Sequence, residues 1–284
     1  SVTNPGGTMT KSIVWLASYP KSGNTWTRIF LANYLFNAPS PLNINKVTAL
    51  GLGDSVRQAY EKVLGQKFPV GREGASVPYR TRLFASIVAN KADMNFMKTH
   101  NFNENVFGIQ LIPDKYTKSA VYIMRNPLDM VISYAKQYSI PVDAAANLIG
   151  QSGNYSQGDD ETIEQFFGSW SQHVRSWTRK HDYPVCVLQY EHMLADPHGQ
   201  FRKVLDLLGV PIDEERLDRA VRFSSFDEVS KQEKNIGFIE KPKESDQLFF
   251  GRGQSGHWRD ELGADVVKRI RTDHKAVMKQ YGYW

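Results

Sequence analysis

Ile13-Val14-Trp15-Leu16-Ala17-Ser18-Tyr19-Pro20-Lys21-Ser22-Gly23-Asn24-Thr25-Trp26 runs from an apolar stretch through a short polar turn into an amphipathic segment. Ile13 to Ala17 read as a buried strand, which Tyr19-Pro20 ends. Trp26, Ile29, Phe30 and Tyr34 recur at the spacing of a helix packed on a sheet. Between strand and helix, Lys21-Ser22-Gly23-Asn24-Thr25 supplies a cation, a glycine, three polar side chains and consecutive backbone amides. Unpaired N–H groups and the helix dipole make such a turn an anion site, and this one predicts a nucleotide phosphate. The alternative is an ordinary strand–turn–helix corner. A standard P-loop, GxxxxGK[ST], carries its lysine after the last glycine. Here Lys21 precedes Gly23 and the first glycine is missing, so the pattern of kinases and other NTPases is not met.

Ala120 to Met124 form a second apolar strand, and Asn126-Pro127 a turn whose proline opens a helix. Leu128, Val131, Ile132, Ala135 and Tyr138 give that helix its apolar face. Arg125 then stands at the carboxyl end of a strand, where open α/β sheets bind ligands. Its guanidinium can grip a phosphate with two bonds, and Ser133, two turns into the helix, can donate another. Alone, Arg125 would read as a surface ion pair; beside the first turn it reads as a ligand. Another short strand begins at Asn95 and ends in Lys98-Thr99-His100. The chain has seven histidines, and a lone histidine is most often structural or solvated. Imidazole nevertheless titrates near working pH, as a catalytic base requires.

Gly251-Arg252-Gly253-Gln254-Ser255-Gly256 is a formal GxGxxG, which carries meaning only after an early strand and inside a βαβ unit. Too little chain follows, because Ala264 to Tyr281 read as one helix with Val266, Val267, Ile270, Val277 and Tyr281 apolar. The dinucleotide reading therefore fails. Val185 to Gln189 read as a strand leading into Tyr190-Glu191-His192. Further helices are predicted from Thr162 to Lys180, with Ile163, Phe166, Phe167, Trp170, Val174 and Trp177 on one face, and from His198 to Leu208, stopped by Gly209. Alternating strands and helices predict an α/β domain with a central parallel sheet flanked by helices.

In order along the chain, these segments resemble the motifs of the cytosolic-type sulfotransferases, which use 3′-phosphoadenosine 5′-phosphosulfate (PAPS). Tyr19 to Trp26 is similar to the family's 5′-phosphosulfate loop, Arg125 and Ser133 to its 3′-phosphate pair, and Lys98-Thr99-His100 to its KTH motif. Phe249 to Arg259 resembles RKGxxGDWK: Gly251 replaces the usual arginine and His257 the usual aspartate, while Arg252, Gly253, Gly256, Trp258 and Arg259 keep the pattern. Tyr190 to Pro197 is similar to YEDL…DP, and Ser224-Ser225-Phe226 to TSF. The resemblance, from about Ile13 to Arg259, implies a P-loop kinase-like PAPS-binding sulfotransferase fold. It implies that His100 is the base, that Lys21 stabilises charge on the bridging oxygen, and that Lys98 bears on the transferring sulfonate. Ser22, Gly23, Asn24 and Thr25 would surround the 5′-phosphosulfate, and Arg125, Ser133, Arg252 and Gly253 the 3′-phosphate. Trp26, Tyr190 and Phe226 would meet the adenine, with Ser224 beside them, although a core role suits the three aromatics nearly as well. The product is adenosine 3′,5′-bisphosphate, and no metal is expected where lysine and amides supply the positive charge.

The 284 residues carry a net charge of +5 without a dense Lys/Arg block, so a nucleic-acid partner is not expected. A single cysteine, Cys186, excludes an intrachain disulfide framework, and there is no HExxH or paired CxxC. No apolar run approaches membrane-spanning length and Ser1 to Thr8 do not resemble a signal peptide, which makes a cytoplasmic location the expectation. Those eight residues read as an expression scar, and residues 9–284 as a single domain. Asn154-Tyr155-Ser156 is a glycosylation sequon without use in a cytosolic protein. The acceptor is expected to be a small metabolite or natural product attacking through a hydroxyl. Residues 37–92 and 139–161 are expected to line its pocket, the latter as a lid. Within the second stretch, Asp159-Asp160-Glu161 reads either as a lure for a cationic acceptor or as the acidic first turn of the next helix. The rival readings are N-sulfation of an amine or guanidine, a nucleotide-binding protein without turnover, and a small-molecule kinase. Lys21 and His100 together speak against the second, and the Arg125/Ser133 pair against the third, since ATP has no 3′-phosphate. The family's KxxxTVxxxE dimer motif is not matched around Arg259 to Lys268, which leaves the oligomeric state open.

Overall fold

The computed structural model of the chain describes residues 11–68, 74–242, 249–250 and 253–284. The expected scar, Gly251 and Arg252 lie outside the described residues. The strands are β1 (Ile13–Ser18), β2 (Gly51–Gly53), β3 (Asn95–Thr99), β4 (Asn105–Val106), β5 (Ile109–Gln110), β6 (Thr117–Met124), β7 (Tyr155–Ser156), β8 (Gln165–Phe166) and β9 (Val185–Gln189). The helices are α1 (Asn24–Leu35), α2 (Arg57–Leu64), α3 (Arg80–Val88), α4 (Pro127–Gln137), α5 (Val142–Ile149), α6 (Trp170–Thr178), α7 (Tyr190–Ala195), α8 (Pro197–Leu208), α9 (Glu214–Phe223), α10 (Phe226–Ile236), α11 (Trp258–Glu261), α12 (Ala264–Asp273) and α13 (Lys275–Gln280).

A parallel sheet in the order β2-β3-β1-β6-β9 is flanked by helices, as the alternation of elements predicts. β1 is buried at every residue and β6 at all but Lys118, the pattern of parallel strands covered on both faces. β1 pairs with β3 from Ile13↔Asn95 to Ala17↔Thr99, so Ser18 and His100 leave the sheet side by side. Edge strand β9 is more open: Val187 is exposed and Cys186 only partly covered, with burial pushing its thiol up to about 11. Among the described residues, no helix is long and apolar enough to cross a membrane.

The chain divides into two compact units built from interleaved segments. The first comprises the described parts of residues 1–19, 51–122 and 151–185; the second comprises those of 20–50, 123–150 and 186–284. In the second unit, Ile29, Ile44, Val47, Val229, Phe238 and Phe250 form one buried cluster that joins α1 and α10 to the segment at Phe249-Phe250.

Three expectations are corrected. The helix predicted over 162–180 begins only at Trp170, because Gln165–Phe166 pair with β7. Ser169 and Gln172 form a reciprocal capping box that starts the helix there. The helix predicted over 264–281 is two, α12 and α13, separated where buried His274 adopts φ −120° and ψ 19°. Asp159 to Glu161 open no helix. Asp159 Oδ1 instead accepts from the amides of Glu161 and Thr162 at 2.8 and 2.9 Å, a side-chain turn that Arg57 braces by donating to the carbonyls of Asp159 and Thr162. Of the expected lid, residues 142–149 form α5, with Ala145, Ala146 and Ile149 buried. The sequon residue Asn154 is buried, donating from Nδ2 to the Tyr19 hydroxyl at 2.9 Å.

Candidate active site

The second unit holds every described residue expected to bind the nucleotide. Its first turn is strained to fit: Lys21 has φ 65° and Gly23, the N-cap of α1, has φ 104°. A Cβ on Gly23 would come within 2.9 Å of the Tyr190 ring, so both dihedral and contact demand glycine. Glycine brings no capping side chain, and α1 has no acidic residue in its first turn, which leaves the helix N-terminus electrostatically suited to an anion. Ser22 is fully buried, and its hydroxyl has no hydrogen-bond partner among the described residues. Such an atom costs about 1–3 kcal/mol unless something bonds it, and a phosphate oxygen is the kind of group that would. Lys21 Nζ lies 3.8 Å from the centroid of Phe249.

Arg125 follows β6 and precedes α4, whose N-terminus is capped by Asn126 Oδ1 accepting from the Leu128 amide at 3.0 Å. Arg125 Nη1 donates to the Lys21 carbonyl at 3.0 Å and reaches Ser133 Oγ at 3.5 Å. The guanidinium lies 4.5 Å over the Tyr190 ring, and its buried Nε has no partner among the described residues. Trp26 meets Tyr190, Phe201 and Phe226 edge-on, at 6.0, 5.4 and 5.0 Å between centroids. Its buried Nε1 likewise has no partner among the described residues. Gly253, at φ 56°, presses its backbone on Phe226, where a Cβ would come within 2.5 Å of the ring. Ser224 is fully buried, and its hydroxyl donates to the Ala220 and Val221 carbonyls at 2.7 and 3.2 Å at the end of α9.

The first unit holds Lys98 and His100 at the end of β3. His100 Nδ1 is 2.8 Å from the Ser18 carbonyl and 3.4 Å from Ser18 Oγ. A carbonyl only accepts, so Nδ1 carries the proton and the basic lone pair belongs to Nε2. His173 supports this stretch from below: its Nε2 donates to the His100 carbonyl at 2.9 Å, which leaves Nδ1 to accept from the Tyr122 hydroxyl at 2.8 Å. On either side of His100, Thr99 Oγ1 and Asn101 Nδ2 donate to Asp54 Oδ2 at 2.7 and 2.8 Å. Arg80 Nη2 donates to the same oxygen at 2.8 Å, and both charged groups are buried.

The sequence profile of the sulfotransferase domain matches residues 11–282. The chain belongs to the sulfotransferase family. It is 25% identical over 280 residues to sulfotransferase 1 family member D1 of Mus musculus, covering 94% of this chain and 83% of that one. It is 30% identical over 169 residues to sulfotransferase 1A1 of Rattus norvegicus, covering 56% and 55%. Its fold is similar to that of mouse sulfotransferase SULT7A1 complexed with PAP, with a TM-score of 0.59 at 22% identity over 93% of this chain and 83% of that one. It is also similar in fold to retinol dehydratase in complex with androsterone and inactive cofactor PAP, with a TM-score of 0.62 at 19% identity over 95% and 81%.

In this sulfotransferase the turn, Arg125, Ser133, Tyr190, Phe226 and Gly253, which sequence reading singled out as candidates, lie in one unit. Sequence reading missed Asp129, Arg28, Asp54 and His173. Asp129 is buried and accepts from the amides of Gly256 and Trp258 at 2.7 and 3.0 Å, pinning residues 256–258 to α4. His257 Nδ1 lies 3.3 Å from the same carboxylate. The sequence signal for Asp129 was its place in the first turn of a helix, which also suits an unremarkable acidic residue.

His173 has a measurable signature. Burial pushes its imidazole down from 6.5 to about 3. The unfolded chain therefore binds a proton that the native state refuses between those values. This contribution to stability is complete above about pH 6.5 and is lost as pH falls, at up to about 1.4 kcal/mol per unit. Urea unfolding at pH 7.0 to 5.0 should show a shallower loss of stability for His173→Gln than for the wild type; parallel slopes would assign the acid sensitivity elsewhere.

Proposed function

We propose that this sulfotransferase moves the sulfonate of PAPS to a hydroxyl of a small-molecule acceptor, with His100 as the base. The contact that carries the donor reading is the Arg125 guanidinium, tied at once to the Lys21 carbonyl and to Ser133. One cation thus links the turn suited to a 5′-phosphosulfate with the residue suited to a 3′-phosphate. The orphaned Ser22 hydroxyl, Arg125 Nε and Trp26 Nε1 fit a donor with phosphate oxygens and a heteroaromatic base. PAPS supplies the activated sulfonate. His100 Nε2 takes the acceptor proton as the new oxygen–sulfur bond forms and the bridging sulfur–oxygen bond breaks. Lys21 counters the charge that grows on the bridging oxygen, and Lys98 bears on the sulfonate. Positioning and electrostatic stabilisation carry the rate, as in phosphoryl transfer.

Calorimetric titration with adenosine 3′,5′-bisphosphate, AMP and ATP tests the donor. Tight binding that requires the 3′-phosphate is expected, followed by turnover of labelled PAPS in an acceptor screen. Arg125→Ala should weaken the bisphosphate by about 1.5–3 kcal/mol, the scale of hydrogen bonds to a charged group. Preference for ATP with magnesium would move the chain to phosphoryl transfer, and unchanged affinity in the variant would make Arg125 structural.

A further inference from the structure

We infer that Arg28 is a positioning residue that sets Asn24 and Thr25 as hydrogen-bond donors toward the 5′-phosphate end of the nucleotide, an inference that rests on the proposed donor site. Arg28 lies one turn into α1 and is 4% exposed. Its Nε donates to Asn24 Oδ1 and its Nη2 to Thr25 Oγ1, each at 3.0 Å. The other side of the fork meets Glu240, with Nη1 to Oε2 at 3.1 Å and Nη2 to Oε1 at 2.7 Å.

The chemistry of these groups gives the arrangement its direction. Asparagine and threonine side chains can both donate and accept, whereas a guanidinium only donates. In contact with Arg28, Asn24 and Thr25 must present their acceptor atoms to it. The atoms turned to other partners are then the Asn24 amide nitrogen and the Thr25 hydroxyl hydrogen, which are the donors an anion needs. The same grip keeps both oxygens from folding back to cap the amides of α1, the usual habit of these residues at a helix start. Glu240 compensates the guanidinium, so Arg28 acts as a neutralised brace and not as a phosphate ligand itself. A lysine cannot do this, since its ammonium is a point charge without a planar fork.

The test compares two nucleotides that differ only at the 5′ end, adenosine 3′,5′-bisphosphate and adenosine 3′-monophosphate, by calorimetry on the whole chain. Arg28→Lys should raise the Kd of the bisphosphate roughly ten- to a hundredfold, the scale of hydrogen bonds to a charged ligand, while leaving that of the monophosphate unchanged. In an Asn24→Ala/Thr25→Ala background the same substitution should have little further effect, because its route has been removed. Should Arg28→Lys not fold, Arg28→Met/Glu240→Leu leaves no unpaired buried charge and carries the same expectation. Equal losses for both nucleotides would show a general structural role, and no loss for either would remove the brace; both overturn the inference. Equal affinity of the wild type for the two nucleotides, measured before any variant, would sink the donor-site reading and this inference with it.

Discussion

Replacing His100 by alanine should lower kcat by roughly a hundred- to ten-thousandfold, the usual contribution of a general base, while the Kd of adenosine 3′,5′-bisphosphate stays as in the wild type. The separation follows from the proposed roles, proton removal from the acceptor on one hand and grip of the nucleotide on the other. His100 belongs to the first unit, whereas the turn, Arg125, Ser133, Trp26, Tyr190 and Phe226 belong to the second. The Ser18 carbonyl fixes the imidazole tautomer by accepting from Nδ1 at 2.8 Å, so the lone pair of the proposed base is on Nε2. Single-turnover rates with labelled PAPS, alongside calorimetry, read both quantities. A variant that turns over normally would remove His100 as base, and a variant that loses the nucleotide would make it a donor-site residue.

Asp54→Ala is expected to bring the largest loss of stability, about 3–5 kcal/mol, because it leaves the guanidinium of Arg80 buried without its counter-charge. Asp54 Oδ2 alone receives Arg80, Thr99 and Asn101 at 2.8, 2.7 and 2.8 Å. Tyr60 closes the group, its hydroxyl donating to the Asp54 carbonyl at 2.8 Å and accepting from Arg80 Nη1 at 3.3 Å. Burial holds the Tyr60 phenol far above its ordinary range, so it stays neutral and its hydroxyl remains a donor. Set against the 5–15 kcal/mol typical of a folded domain, roughly, the loss should shift the urea midpoint strongly at an unchanged m-value. Asp54→Ala/Arg80→Leu should recover part of it; if the single variant matches the wild type, the pair contributes nothing to the fold. Thr99 and Asn101 flank His100, so the same carboxylate that stabilises the unit also holds the proposed base in place.

The parts of this protein that were legible in its sequence are those written in neighbouring residues. Ile13 to Ala17, Pro20 and the spacing of Trp26, Ile29, Phe30 and Tyr34 determine strand, break and helix locally, and Gly23 declares a left-handed turn. Asn126-Pro127 announces the start of α4 in the same way, as Gly209 does the end of α8. Where local signals competed, sequence reading failed: Ile163, Phe166 and Phe167 fit a helical face, yet pairing of β8 with β7 claimed Phe166, the Ile163 amide bonds to the Ser55 carbonyl, and the capping box at Ser169 moved the helix start. The supports of the site were out of reach altogether. Asp54 meets Thr99 and Arg80 across 45 and 26 residues, Asp129 meets Gly256 across 127, and Glu240 meets Arg28 across 212. A charge buried far along the chain from its partner has no period or cap to betray it. Sequence alone determined the strand–turn–helix corners and named the candidates to hold phosphate and take a proton; tertiary structure decided which of them are braced, because a buried hydrogen bond exists only once folding has excluded water from both of its ends.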